Sequence, residues 1–398
     1  MRIRKTLWMS DSEPIIAIMI LFMVLGTINV FSSSFVLATV TFDNPYYFLE
    51  RHIVWLAVGF VAFIIFRRVD YRKWRVLMPL VLGVTLLSLV AVLFVGTNIN
   101  GATRWISVGG MSFQPSELAK LVSIMLAAAA FGHANKHGEK TTILCFQFFL
   151  ILIMAGLVEK EPDMGTASIV CGAPLIMLFM SGGLRKIEFY SLLAVVPVGI
   201  ISVMMLQPYR IVRLKNTFDP WADAQGAGYQ TVQSLSTIGS GGFWGMGLGD
   251  GVSKYEYLPE AHTDFAFAIF AQEQGFIGAI FVFLLLAILV LLCIRVANRA
   301  ADEFGQMLAL GIMILVAGQG IANLAMVAGM IPVVGVPLPF ISYGGSSLIV
   351  TMMAMGILLN ISDNGVNPHE RDKLERELEE KLADVRVKKA RESMRLVR

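Results

Sequence analysis

Apolar residues in this chain come in long unbroken blocks, and polar residues are confined to the joints between them. A helix needs about 20 apolar residues to cross the hydrocarbon of a bilayer, with a range of roughly 17 to 25. Ten blocks meet or approach that length: 14–37, 53–66, 76–96, 117–133, 142–158, 165–181, 187–206, 265–294, 305–329 and 346–361. The pattern predicts an all-α, polytopic membrane protein with about ten transmembrane helices. The second, fifth, sixth and tenth blocks are short, which puts their ends in interfacial loops or inside protein rather than in lipid. The joints are unequal. Segments 38–52, 97–116 and 330–345 are of medium length, and 207–264, between the seventh and eighth helices, is the longest. A connection of that size usually carries structure or function of its own, and residues 229–238 within it predict a short interfacial helix.

An even number of spans puts both termini on one side. Most of the 32 Lys and Arg residues fall on that side, so the positive-inside rule makes it cytoplasmic and sends 207–264 outward. The implied organisation is a cytoplasmic N-terminus (1–13), a membrane domain (14–361) and a charged cytoplasmic tail (362–398). In the tail Leu374, Leu378, Leu382 and Val385 share one helical face. The first apolar block is about 24 residues long and lacks a small-residue cleavage site, which reads as a retained start-transfer helix. Composition agrees: 56% hydrophobic and 15% charged residues leave too little polar surface for a soluble globule of 398 residues. A net charge of +3 gives no reason to expect nucleic acid. Cys145, Cys171 and Cys293 all lie inside apolar blocks without metal-ligand spacing, so neither a disulfide framework nor a zinc site is implied.

Four polar constellations interrupt the blocks, and all project to the outward face. The densest is Tyr257 to Phe265, which carries Glu260, His262 and Asp264 at the start of the eighth block. A carboxylate there is an ordinary N-cap, or a general base whose pKa is raised at the membrane edge; one residue can serve both roles. The second runs from Arg104 and Trp105 to Gln114, Ser116, Glu117 and Lys120. A charge inside a membrane helix costs ~2.5 to 3.5 kcal/mol, so Glu117 and Lys120 are expected to face protein or a wet cavity, paired with each other or with substrate. Arg104 and Trp105 suit a phosphate and a sugar face. The third holds Glu161, Pro162 and Asp163, the last a candidate cap of the sixth helix. The fourth, 332–347, has three prolines, then Ser342, Tyr343, Gly344 and Ser346, an anion-friendly helix start. Seven glycines within 239–251, followed by Lys254, form either a backbone nest for an anion or a pliable connector. Together these imply one extracytoplasmic site for an amphiphile with anionic and sugar-like parts.

Asn100-Gly101 through Ile106, Gln114 to Lys120, Glu161 to Thr166, Gly239 to Gly242, Tyr257 to Phe265 and Pro337 to Ser347 closely resemble, in order, the motifs of the SEDS (FtsW/RodA/SpoVE) family of shape, elongation, division and sporulation proteins. The cell-division branch resembles this chain more than the elongation branch, through Gly247-Leu248-Gly249, Lys254 and the Tyr257 to Phe265 run. The sequence departs from the family's pattern at Ala266, at Ala271-Gln272-Glu273 and at Val334.

The resemblance implies a ten-helix peptidoglycan glycosyltransferase in the bacterial cytoplasmic membrane, at the division septum. It would polymerise lipid II into a growing glycan chain with a class B penicillin-binding transpeptidase and other division proteins. In the family the aspartate matching Asp264 is essential, and the positions matching Arg104, Trp105, Glu117 and Lys120 are implicated in function. Gln114, Ser116, Asp163, Lys254, Glu260, His262, Ser342, Tyr343, Gly344 and Ser346 complete the expected substrate-contacting set. A divalent cation, Mg or Mn, is expected on the substrate pyrophosphate, with few protein ligands, no metal cage and no organic cofactor. Two rival readings use the same residues. A lipid II flippase should carry its key polar groups near the midplane, whereas these cluster at one face. A non-enzymatic division scaffold leaves the density of polar groups without a purpose.

Overall fold

The computed structural model describes residues 11–365, apart from 100–101, 109–110, 138–144, 183–185, 189, 195–198, 200–207 and 256–257. Helices α1 (Ser12–Phe42), α2 (Tyr47–Arg68) and α3 (Tyr71–Val95) are followed by strands β1 (Thr97–Ile99), β2 (Ala102–Val108) and β3 (Met111–Phe113). Then come α4 (Pro115–His137), α5 (Phe146–Lys160), α6 (Met164–Met180), α7 (Pro208–Phe218), a 3-10 turn (Pro220–Asp223), α8 (Tyr229–Ser240), α9 (Ala266–Asn298), α10 (Glu303–Val327) and α11 (Gly345–Asp363). Among the described residues seven helices are long and apolar enough to cross a membrane: α1 to α4 and α9 to α11. Helices α5 and α6 stay short, at 15 and 17 residues. The expected seventh span, 187–206, lies mostly outside the described residues, as does the charged tail. The short helix predicted over 229–238 is present as α8.

The all-α expectation needs correction at 97–113, where a three-stranded antiparallel sheet in the order β1-β2-β3 stands between α3 and α4. Thr97 pairs with Trp105 and Ile106 with Phe113. The signal was in the sequence. Thr97, Ile99, Thr103, Trp105, Ile106 and Val108 are β-branched or aromatic, and Asn100-Gly101 is a strong two-residue hairpin dipeptide. The second helix also begins earlier than its apolar block, at Tyr47 rather than residue 53. Two polar residues near its start are accommodated: Arg51 stacks on the Tyr47 ring at 4.5 Å and lines a cavity, and His52 is buried near Tyr343.

Burial separates a centre from a lipid-facing rim. In α4, α10 and α11 the apolar windows are 72%, 67% and 78% buried, against 17% and 22% in α2 and α3. The outward faces of α2 and α3 carry Val54, Val58, Phe60, Val61, Val76, Leu80 and Leu87 to solvent-free lipid, as a bilayer requires. At the far end of α2 the bundle is tied by polar contacts: Asn360 accepts from Tyr71 N–H at 2.8 Å and donates to Arg67 O at 2.7 Å. Asp302 accepts from Tyr71 at 2.7 Å and from Arg72 at 2.7 Å.

The segment between α10 and α11 has no regular structure and packs on α1. A Cβ on Gly26 of α1 would stand 1.9 Å from Phe340 O, and Phe340 itself adopts φ 64°. The expected effect of Gly26→Ala is therefore overpacking worth about 1–3 kcal/mol, read as a lowered melting temperature in detergent; an unchanged melting curve would contradict this packing.

Candidate active site

Helices α2, α4, α6, α9 and α11 all begin at the same end of the bundle. Each start leaves backbone N–H groups without intrahelical partners and a partial positive charge. Between these starts lies a cavity of about 690 Å³. Its walls come from Arg51 and Trp55 of α2, Arg104 and Trp105 of β2, the starts of α4 and α6, Arg210 and Arg213 of α7, the 260–265 turn and the 332–347 segment. All four polar constellations fall at helix starts, and three of them hold a residue suited to that place. Gln114 precedes Pro115 at the first position of α4, Asp163 caps α6, and Gly344 caps α11.

The walls are cross-tied by hydrogen bonds. Asp163 accepts from Thr166 N–H at 3.1 Å, from the Thr166 hydroxyl at 2.9 Å and from Gln114 Nε2 at 3.0 Å. Gln114 N–H in turn donates to Ser346 Oγ at 2.9 Å, joining α4 to α11. Arg104 Nε donates to Glu161 O at 3.0 Å, and its terminal nitrogen donates to Pro162 O. Lys120 and Glu117 form a buried ion pair at 2.7 Å, and Lys120 also donates to Gln319 Oε1 at 2.9 Å. Arg210 pairs with Glu159, and Arg213 donates to Val333 O at 2.9 Å.

Asp264 stands at the floor of the cavity before α9. Phe265 occupies the capping position without a side-chain bond, so Asp264 is not the cap. Its backbone carbonyl accepts from Asn323 Nδ2 at 2.7 Å, and no side chain or backbone N–H among the described residues is recorded donating to its carboxyl. The preceding turn is tight: Glu260 takes φ 54°, its carbonyl accepts from Phe265 N–H at 3.1 Å, and its carboxylate accepts from Thr263 at 2.7 Å. Burial, then the charges of Glu260 and Asp163, push the Asp264 carboxyl up to about 7 against the opposing pull of Arg104 and Arg213. Burial and Asp163 likewise push Glu161 up to about 8. A carboxyl poised near neutrality beside a cationic wall is suited to accept a proton from a hydroxyl while the wall holds an anion.

Of the residues singled out in the sequence, Arg104, Trp105, Gln114, Glu117, Asp163, Glu260, Asp264, Tyr343, Gly344 and Ser346 line this cavity. Five do not. Lys120 stands behind Glu117. Ser116 is buried beneath the wall, and Ser342 accepts from Leu338 N–H at 3.0 Å. His262 packs on Phe48 at 4.6 Å and accepts through its carbonyl from Tyr343 N–H at 2.9 Å, so it shapes the turn. Lys254 is the clearest correction: it is buried in an ion pair with Glu273, away from the cavity. The glycine run goes with it, packed on α9 rather than cradling an anion in the cavity. Sequence reasoning missed Arg51, Trp55 and Gln230 as lining residues, since each sits in a helix whose other positions pack elsewhere. Among the described residues no group of three or more His, Cys, Asp or Glu forms a metal cluster, and both oxygens of Asp163 are already engaged.

The model of the FtsW/RodA/SpoVE type, described as cell cycle protein, matches residues 12–366. The chain belongs to the SEDS family. Among SEDS relatives, the probable peptidoglycan glycosyltransferase FtsW of Trichlorobacter lovleyi is 38% identical over 367 residues, covering 90% of this chain and 95% of the relative. Stage V sporulation protein E of Bacillus subtilis is 37% identical over 358 residues, covering 87% and 96%. Among solved structures, a peptidoglycan synthase complex described as coordinating polymerization and crosslinking superposes with TM-score 0.72 at 27% identity, covering 88% of this chain and 97% of that one. The rod shape determining protein RodA of Thermus thermophilus superposes with TM-score 0.64 at 25% identity, covering 89% and 97%. SEDS membership and the apolar helices make this a multi-pass membrane protein.

The raised Asp264 value has a stability consequence with a definite sign. The folded carboxyl releases its proton near 7 and the unfolded one near 3.9, so folding favours the protonated form and stability falls as pH rises between those values. Asp264→Asn removes that penalty. The variant is expected to be more stable than wild type by on the order of 2 to 4 kcal/mol at pH 8 and by clearly less at pH 5. Melting temperatures of both proteins at the two pH values check this; a difference independent of pH would contradict the shifted carboxyl.

Proposed function

We propose that this SEDS protein is a peptidoglycan glycosyltransferase that polymerises lipid II on the outer face of the cytoplasmic membrane, at the septum of a dividing cell. The observation that carries the reading is Asp264, a carboxyl near neutrality with no donor to it among the described residues, at the floor of a cavity walled by four arginines and five helix starts. In the proposed inverting transfer Asp264 takes the proton of the acceptor N-acetylglucosamine 4-hydroxyl as its oxygen bonds to the donor's anomeric carbon. The bond from that carbon to the pyrophosphate breaks, and undecaprenyl pyrophosphate leaves with the electron pair. Arg51, Arg104, Arg210 and Arg213 face the cavity as cations for that leaving group. Trp105 offers an amphipathic ring to a sugar face. Glu117, paired with Lys120, contributes a wall of fixed geometry.

A divalent cation used in the reaction belongs in this proposal to the substrate pyrophosphate. The outward orientation is supported by the Lys and Arg distribution. Assembly with a class B penicillin-binding transpeptidase is supported by the resemblance to the peptidoglycan synthase complex.

The test uses purified protein, alone and with its cognate transpeptidase, incubated with fluorescent lipid II and divalent cation on a glycan-ladder gel. Wild type is expected to make ladders, and Asp264→Asn to lose about 10² to 10⁴ in rate while remaining folded. If neither protein polymerises while liposome assays show lipid II crossing the bilayer, a flippase replaces the transferase. The proposal also fixes a pH profile. Because Asp264 acts deprotonated, kcat/KM should rise tenfold per pH unit below about 7 and level above it; a profile flat from pH 5 to 8 would remove Asp264 as the base.

A further inference from the structure

Helix α9 does not run unbroken. Gly275 has φ 67° and ψ −167°, and two of the ladder bonds that would cross it, from Phe276 N–H to Gln272 O and from Ile277 N–H to Glu273 O, are replaced. Phe276 N–H donates to Gly242 O at 3.0 Å and Ile277 N–H to Phe243 O at 3.4 Å. On the other side Met246 N–H donates to Gln272 O at 3.0 Å and Gly247 N–H to Glu273 O at 3.1 Å. Segment 242–247 is therefore spliced into the helix: it supplies two acceptors and two donors for the two donors and two acceptors that the break sets free. Such compensation is required wherever backbone is withdrawn from water. The fit demands glycine. A Cβ on Gly245, which has φ +86°, would stand 2.2 Å from Glu273 O, and one on Gly275 would stand 2.3 Å from Gly245 N.

Side chains on both sides of the break fasten the inserted segment. Lys254 Nζ lies 3.2 Å from Glu273 Oε1, both groups nearly inaccessible, and the same oxygen accepts from Ser32 Oγ of α1 at 2.5 Å. Lys254 also donates to Gly249 O. Gln272 Nε2 donates to Ser240 Oγ at 2.7 Å and Ser253 Oγ at 3.0 Å, and its Oε1 accepts from Ser253 N–H at 3.2 Å. The segment is held before its first inserted residue and after its last, by Gln272 and Glu273 on the near side of the break.

We propose that Lys254 and Glu273 are positioning residues for Asp264: their ion pair keeps segment 242–247 spliced into α9, and the splice sets the direction of the short helix 266–274 at whose head Asp264 stands. This rests on Asp264 being the base. The mechanical argument is one of lever length. Residues 266–274 form a rod of about 14 Å, so a tilt of roughly 10° at Gly275 moves its far end by about 2 Å. A misplacement of about 1 Å in a reacting geometry can cost ~10²-fold in rate. The break also has a second closed arrangement. If the loop withdraws, Phe276 and Ile277 can bond back to Gln272 and Glu273 as an ordinary helix, whereas Met246 and Gly247 are left with water.

That asymmetry is the test. The full-length protein in nanodiscs is followed by hydrogen exchange at Met246, Gly247, Phe276 and Ile277, alongside steady-state polymerisation of lipid II per folded molecule. In wild type, Met246 and Gly247 are expected to exchange at least about tenfold faster than Phe276 and Ile277; equal rates at all four would show that the break opens only by unfolding and would overturn the two-arrangement splice. Glu273→Gln and Lys254→Met should each lower kcat about 10- to 100-fold with KM within about twofold, and Lys254→Arg should restore most of it. A purely structural ion pair would instead lower the folded fraction and leave kcat per folded molecule unchanged, which would overturn the positioning role. Should the neutralising variants fail to fold, the wild-type exchange pattern and the kcat of Lys254→Arg still decide. If Asp264→Asn polymerises like wild type, the base assignment falls by itself, while the exchange pattern continues to report on the splice.

Discussion

A lysine ammonium with only 2% of its side chain accessible, set in a helix that crosses the bilayer, is the constraint from which much of this structure follows. Lys120 is tolerable there only with its donors satisfied. Glu117, one turn earlier on α4, takes the charge, and Gln319 of α10 takes a further hydrogen bond. Gln319 passes the tie on through Nε2 to Pro337 O at 3.0 Å. One buried charge thus fixes α4 against α10 and pins the irregular 332–347 segment that forms one cavity wall. Asn323, one turn further along α10, repeats the device by bonding both Asp264 O and Val336 O at 2.7 Å. The wall and the base turn are hung from the same helix.

The common orientation of helix starts explains why the cavity collects charge. Backbone N–H groups at five starts favour anions, and the four arginines add to this. The carboxyls nearest the arginines are held differently. Asp163 is held by three donors and serves structure. Asp264 has no donor to its carboxyl among the described residues, and burial, then the charges of Glu260 and Asp163, push it up to about 7. The same environment that would suit it to the proposed role of base makes it a burden to the fold, as expected of residues whose charge is maintained for chemistry.

What could be read from sequence, and what could not, divides along physical lines. Long apolar blocks need no partner to declare themselves, and α1, α3, α4, α9, α10 and α11 stand where the pattern put them. The gathering of Arg104, Gln114, Asp163, Asp264 and Ser346 around one cavity was anticipated from their position at block ends. The strands at 97–113 are short and lie in a polar joint between apolar blocks, so the pattern of spans does not declare them although Asn100-Gly101 marks a turn. The early start of α2 was not legible, since Arg51 and His52 read as an interfacial end until Tyr47 and Tyr343 supply their surroundings. Lys254 was misplaced for a deeper reason. A lysine beside an acidic, glycine-rich loop looks solvent-facing, and only the third dimension brings Glu273 and Ser32 to it.

The glycine run shows the same limit from the other side. In sequence, Gly241 to Gly251 fits an anion nest as well as a connector, because both need positive φ and close backbone approach. In the structure that capacity is directed at protein: Gly245 and Gly247 approach the carbonyl of Glu273, and the freed N–H groups of α9 are answered by Gly242 and Phe243. A loop that substitutes for a helix's own bonds must keep its backbone bare along the whole contact. Gly245 and Gly275 are thus required by the splice itself, where a Cβ would stand 2.2 Å from Glu273 O and 2.3 Å from Gly245 N respectively.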